Sequence, residues 1–140
     1  MPDASTFSSV GITLVFTHAV ADHWVQTHGQ AMGKGAHTHT GVRECATHVA
    51  TYTAATALAV LVVWQTFDLA ITPVGFVVGQ MVSAVTHYWA DRRYTLAALA
   101  RSIGKEDYYN SPGGAYQLDQ AWHFGWLGVA TYLTAVIGVS

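Results

Sequence analysis

The sequence predicts an all-α protein, a four-helix bundle that runs up-down-up-down across a membrane. Three observations carry this expectation. Only 10% of the 140 residues are Asp, Glu, Lys or Arg, against 51% hydrophobic, whereas an average soluble domain is about 25% charged. Four apolar segments stand apart, each near the ~20 residues at 1.5 Å per residue that a membrane crossing needs. All six Lys and Arg residues fall in the first and third connections between those segments. The length suits one domain, here residues 1–140.

The first helix is expected over about 7–27. Its polar end carries His18, Asp22 and His23, so it crosses a membrane only if that end lies at the interface or faces other helices. The second is expected over about 44–67, with no Asp, Glu, Lys or Arg from Cys45 to Phe67. The third is expected over about 71–103, with Pro73 suited to a first turn and the stretch YTLAALARSI as a helical extension. The fourth is expected over about 117–139, uncharged from Ala121 onward. Thr and Ser in these segments can bond back to their own helix carbonyls, which lets them sit in lipid. A soluble bundle would show a charged outer face, and segments two and four offer none. The competing reading is a small soluble bundle that oligomerises through its apolar faces.

The first basic residue is Lys34, so no signal peptide is expected and the first segment should stay in the mature chain. Lys34, Arg43, Arg92, Arg93, Arg101 and Lys105 share one side of the bundle, while Asp3 and Asp68 are the only charges on the other. The positive-inside rule then puts the first and third connections in the cytoplasm and both termini outside. Nucleic acid is excluded as a partner, because six basic residues against eight acidic ones form no basic run. The single Cys45 excludes an internal disulfide and a cysteine-based zinc site. The stretch from Gly104 to Ala115, rich in Gly, Ser and Pro, is expected to be mobile and to carry little chemistry.

Four His/carboxylate pairs share one spacing: His18 with Asp22, Glu44 with His48, His87 with Asp91, and Asp119 with His123. Residues four apart project from the same helix face. The pairs lie at the C-terminal ends of the first and third helices and the N-terminal ends of the second and fourth. Alternating chain direction brings all four to the basic end. Carboxylate bundles build di-metal sites by the same logic, and imidazole with carboxylate suits zinc, iron or manganese. The expected metal ligands are His18, Asp22, His48, His87, Asp91, Asp119 and His123. Asp22 or Asp119 would act as general base. A cluster of mutually hydrogen-bonded polar groups without metal is the competing account. Glu44 adjoins Arg43 and is the weakest member. His23 points away from Asp22, and His28, His37 and His39 belong to a solvated connection. Gln26 shares the stripe of Asp22 and can hydrogen-bond a ligand carboxylate, and Arg92 reads as a positive-inside charge. Trp24, Trp89, Trp122 and Trp126 cluster at the same end as an interfacial belt.

Taken together, His18-Ala19-Val20-Ala21-Asp22, then Val25-Gln26-Thr27, Lys34, His48, His87-Tyr88-Trp89-Ala90-Asp91-Arg92 and Asp119-Gln120-Ala121-Trp122-His123 resemble domain-of-unknown-function family 3307. These are small integral-membrane proteins of bacteria and actinobacterial phages. The resemblance covers about residues 10–135 and departs at His23, where the family usually has an apolar residue. It implies a bacterial inner-membrane location, with a phage-like style in GKEDYYNSPGGAYQLDQAWH, and it supports the placement of the site more than any chemistry.

Three functions fit these residues. The first is an integral membrane protein with a divalent metal centre at the cytoplasmic end, acting as a metal-dependent hydrolase on a small-molecule or lipid substrate. The second is a non-enzymatic phage membrane protein acting on the host envelope, by superinfection exclusion or host interaction. The third is transport of a metal ion or proton, which would need polar steps through the remaining depth. Membrane lipid is the expected partner, with homo-oligomerisation open. The topology is checked by cysteine labelling in a Cys45→Ala background. A cysteine replacing Asp68 should react with an impermeant reagent from outside and one replacing Lys105 should not; the reverse pattern inverts the topology.

Overall fold

The computed structural model describes residues 1–139. The chain is helical, with no strand among the described residues. Helix α1 (Ala4–Val20) runs on into a π-helical turn, Ala21–Val25; α2 is His28–Gly33, α3 His39–Phe67, α4 Pro73–Asp91, α5 Tyr94–Ser102, α6 Glu106–Asn110 and α7 Gly114–Val136. The four long helices form the body. Both α1 and α4 pack against α3 and α7, with the largest contact between α4 and α7. Neighbours are antiparallel. At one end the Ala70 N–H donates to Thr6 Oγ1 (3.2 Å) and the Thr72 hydroxyl donates to the Ile137 carbonyl (2.6 Å). At the other, Trp122 Nε1 donates to the Thr86 carbonyl (3.1 Å) and His23 Nε2 lies 3.2 Å from Tyr116 Oη.

Local chemistry sets most helix starts. Asp3 caps α1 by accepting from the Ser5 and Thr6 amides, and the Ser5 hydroxyl and amide hold its carboxyl below the usual range. Thr72 caps α4, with Pro73 in the first turn. Thr38 caps α3 by accepting from the Gly41 amide, so α3 begins at His39 and not near residue 44. The short helix α2 occupies much of the expected first loop, closed by a capping box between Thr27 and Gln30. The expected helix over 71–103 is two helices: Arg93 sits at φ 56° between α4 and α5. Tertiary bonds impose that break. Arg92 reaches across to the carbonyls of Lys34 (3.0 Å) and Ala36 (2.7 Å), and the Thr95 hydroxyl bonds the Trp89 carbonyl left free at the end of α4. The segment 104–115, expected to be a mobile loop, contains the short helix α6.

The bundle buries many polar side chains and exposes many apolar ones. On α4, Val74, Val77, Met81 and Val85 are 51–65% exposed, while Gln80, Ser83, His87 and Asp91 are buried. On α7, Phe124, Val129 and Tyr132 face out while His123, Thr131 and Thr134 face in. A helix on the surface of a soluble protein shows the opposite arrangement. Two helical stretches, Ala4–Val25 and His39–Phe67, are long and apolar enough to cross a membrane. Many of the polar residues of α4 and α7, among them Gln80, Ser83, His87, Gln120, His123, Thr131 and Thr134, face the interior, while Gln117 is exposed.

At the end holding the termini, Val10, Leu14, Val60, Ile71, Leu127 and Ala130 form an apolar cluster, with Trp64, Leu69 and Phe76 against it. Close approach of α4 to α7 depends on small residues. A Cβ on Gly79 would stand 2.0 Å from Thr134 Oγ1 and 2.9 Å from the Ala130 carbonyl. Gly79→Val should therefore lower stability by about 1–3 kcal/mol in thermal unfolding of the purified protein. Gly125→Ala, where nothing lies within 4 Å, should not; equal behaviour of the two would remove the close packing argued here.

Candidate metal centre

The end of the bundle opposite the apolar cluster collects the i,i+4 pairs. His18, Asp22, His48, His87, Asp91 and His123 are all buried there, and Asp119 is partly buried at its edge. Helix direction delivers them, as the spacing predicts. The π-turn adds a feature that the spacing does not show: Asp22 lies inside it, and such turns are frequent at functional sites. The turn ends at Gln26, whose side-chain amide donates back to the Asp22 carbonyl (3.0 Å) and to Asp22 Oδ1 (3.2 Å). This is the carboxylate contact expected of Gln26.

Four atoms form the heart of the cluster: His48 Nε2, His87 Nε2, Asp22 Oδ1 and Asp91 Oδ2. The two nitrogens are 3.1 Å apart. His48 Nε2 is 3.1 Å from Asp22 Oδ1 and 3.2 Å from Asp91 Oδ2. His87 Nε2 is 3.5 Å from Asp22 Oδ1 and 3.2 Å from Asp91 Oδ2. Ligand atoms held at about 2.0–2.1 Å by a tetrahedral ion stand about 3.3 Å from one another, and these five separations bracket that value. Hydrogen bonding alone leaves the group unsatisfied. Asp91 Oδ2 lies 3.2 Å from both imidazoles yet makes no hydrogen bond to either. The two Nε2 atoms face each other at 3.1 Å, so protons on both would set two donors against each other, and the Gln26 amide approaches His48 Nε2 at 3.2 Å as a further donor. A buried acceptor without a partner is costly. Two imidazoles and two carboxylates that point at a common centre fit a divalent ion of the zinc, iron or manganese type.

The remaining expected ligands divide. Asp119 and His123 form a second group with Asp22, ligand atoms again within 4.8 Å of one another. His18 belongs to neither group: its Nδ1 lies 3.3 Å from Tyr52 Oη and its Nε2 3.3 Å from Gln120 Oε1. It packs beside the centre, 5.1 Å from the ring of His123 and 5.9 Å from that of His87. Glu44 lies against Gly29 and Gly33 of α2, away from the carboxylates. His37 stacks on Tyr94 at 4.1 Å, remote from the cluster.

Lys34 is the residue that sequence reasoning left among the surface charges. It is 8% exposed, with Nζ 2.8 Å from Asp91 Oδ1 and 3.7 Å from Asp22 Oδ1. Its sequence signals are its place among the residues that carry the family resemblance and its position as a lone cation in a Gly/Thr/His connection. Two arginines hold that connection in place: Arg92 through the carbonyls of Lys34 and Ala36, Arg93 through that of Ala31 (2.6 Å). Arg92, expected to be a free positive-inside charge, is therefore a buried strut, 4% exposed. Gln120 is likewise new, bonding His18, Asp22 and Asp119.

A cavity of about 390 Å³ opens beside the cluster, lined among others by Asp22, Lys34, Asp91, Arg93, Tyr109 and Asp119. Ala115 and Tyr109 line it too, so the segment expected to carry little chemistry forms part of its wall. Burial, with the Asp119 charge beside it, pushes the Tyr109 phenol up, so that group stays neutral at the cavity wall.

The burial of Lys34 against Asp91 generates a test. Lys34→Met removes the nearest cation from a buried carboxylate, which costs about 3–5 kcal/mol in comparable cases. Thermal unfolding in detergent with a chelator should show this loss, and added zinc should recover part of it. An unchanged melting temperature would mean that Lys34 does not neutralise the cluster.

No curated protein and no solved structure matches the chain. Residues 10–140 match the family described as Protein of unknown function (DUF3307). That match covers nearly the whole chain, including every residue of the centre, and the protein belongs to this family.

Proposed function

We propose that this protein is an integral-membrane, metal-dependent hydrolase, with its centre at the cytoplasmic end of four membrane-spanning helices. The observation that carries the reading is the set His48, His87, Asp22 and Asp91, converging at tetrahedral separations beside an open cavity. The inverted polarity of the bundle supports the membrane setting. At 1.5 Å per residue, α1 with its π-turn, α4 and α7 are about 28–34 Å long, close to the ~30 Å hydrocarbon core. From His48 to Phe67, α3 covers about the same distance. Trp89 stacks on Trp122 at 4.4 Å, and Trp24 is 86% exposed, both near the cluster, as an interfacial belt would be. The basic connections share that end, which supports placing it in the cytoplasm and both termini outside.

A divalent ion, when bound, supplies an acidified water and polarises an ester or phosphoryl oxygen. His48 and His87 would hold it, with Asp22 and Asp91. Lys34 balances the carboxylate that faces it. Asp119 borders the cavity with its side chain 24% exposed, which places it to accept a proton from a water there. Asp22 serves that task less well, since Oδ1 faces His48 and Oδ2 faces Gln120. Transport is the weaker reading. Buried polar contacts run from Tyr52 at the centre down to Thr56 and Gln80 (2.9 Å), but the apolar cluster around Leu14 and Leu127 closes the outer end.

Metal analysis of detergent-purified protein tests the proposal. His87→Ala and Asp91→Asn should each weaken zinc binding by about 10-fold or more. His37→Ala and His39→Ala should leave it unchanged. Hydrolysis of bis-p-nitrophenyl phosphate or p-nitrophenyl acetate should stop with a chelator and return with metal. A parent protein that binds no metal at any supplied concentration would make the metal-free polar cluster the correct account.

A further inference from the structure

We propose that the centre takes two divalent cations, with Asp22 shared between them. This rests on the metal-hydrolase reading and divides its site into a closed position and an open one.

The closed position is the group of Asp22, His48, His87 and Asp91. All four residues are buried, and four protein ligands complete a tetrahedral ion. The second position is the group of Asp22, Asp119 and His123, whose ligand atoms lie within 4.8 Å of one another. His123 supplies the independent sign. The residue is 3% exposed, and its Nε2 is buried with no hydrogen-bond partner. That nitrogen faces two carboxylates, 3.5 Å from Asp119 Oδ1 and 3.9 Å from Asp91 Oδ1. A buried imidazole nitrogen that neither donates nor accepts needs an explanation. A cation between His123, Asp119 and Asp22 takes its lone pair and neutralises the carboxylates together.

Asp22 can serve both positions because its two oxygens face different helices. Oδ1 looks toward His48 and His87, and Oδ2 lies 3.4 Å from Gln120 Nε2, on α7 beside Asp119. The positions differ in what they leave open. The second has three protein ligands, and Asp22 and Asp119 line the cavity, so water or an anionic substrate oxygen can complete it. Its donor set, one nitrogen to two oxygens, is harder than the two-nitrogen set of the first and favours manganese or a similar ion. The cation there engages one Asp119 oxygen and leaves the other free for a proton. Lys34 and Arg93 on the same cavity wall suit an anionic ligand.

The test counts metal and reads its magnetic coupling. Metal-stripped, detergent-purified full-length protein is titrated with manganese, desalted, and measured by elemental analysis and electron paramagnetic resonance. A shared-carboxylate pair should bind about two ions per chain and give an exchange-coupled multiline signal. Asp119→Asn and His123→Ala should each lower the count to about one and leave the spectrum of an isolated ion. Asp119 is partly exposed, so Asp119→Asn should keep the fold, with circular dichroism and thermal unfolding as the check. A parent that binds one ion, unchanged in Asp119→Asn, overturns the second position and leaves metal binding at the first standing, with hydrolysis judged separately by the chelator assay. Two ions retained in both variants overturn it as well. A parent that binds none overturns both readings.

Discussion

Asp91 is 1% exposed and lies among groups that it must satisfy or be satisfied by: Lys34 at 2.8 Å, and His48 and His87 at 3.2 Å. A carboxylate buried at the edge of a low-dielectric bundle is tolerated only when it is paired. The surrounding architecture follows from that constraint. Asp22 lies beside the same histidines, so two negative charges share one interior and a single lysine cannot offset both. The imidazoles face inward with Nε2 atoms in contact range, and one carboxylate oxygen remains without a hydrogen bond. A cluster of this composition could hold a cation in addition to Lys34.

Delivering Lys34 to this place requires a connection with little intrinsic order to be held still. Arg92 and Arg93 do this through carbonyls of the 31–36 segment. Arg92 stays in right-handed helical geometry while Arg93 turns to φ 56°, and the α4–α5 break lies there. The hinge between those helices, the seat of Lys34 and the wall of the cavity are thus one mechanical unit. The same inward concentration of polarity explains the outer surface. With His, Asp, Gln and Thr committed to the interior, Val, Met, Leu and Phe are left to face outward on all four long helices. Below Thr56 and Gln80 the buried polar side chains are the threonines Thr6, Thr131 and Thr134, beside the cluster that includes Val10 and Leu127. Chemistry is thereby confined to one end.

The fold class and the level of the site were legible in the sequence because both depend on periodicity. A spacing of four puts His18 with Asp22, His87 with Asp91, and Asp119 with His123 on common faces whatever the helices pack against. Alternation of helix direction then brings the pairs to one end. Helix ends were less legible. YTLAALARSI contains no residue that stops a helix, and it continues as α5 only after a turn set by distant carbonyls. The start of α3 at His39 depended on a single cap, Thr38.

By itself the sequence determined how many long helices form, that each His/carboxylate pair shares one helix face, and that carboxylates and imidazoles accumulate at one end. These follow from covalent geometry and the 3.6-residue repeat. Tertiary structure alone decided which of those atoms meet. His18, on the right face and near the right level, is drawn to Tyr52 and Gln120, while Lys34, from a connection without periodicity, reaches Asp91. Distances between side chains on different elements depend on helix rotation, on the π-turn at Asp22 and on the arginine struts. No local pattern along the chain encodes these, because each arises only when separate segments pack together.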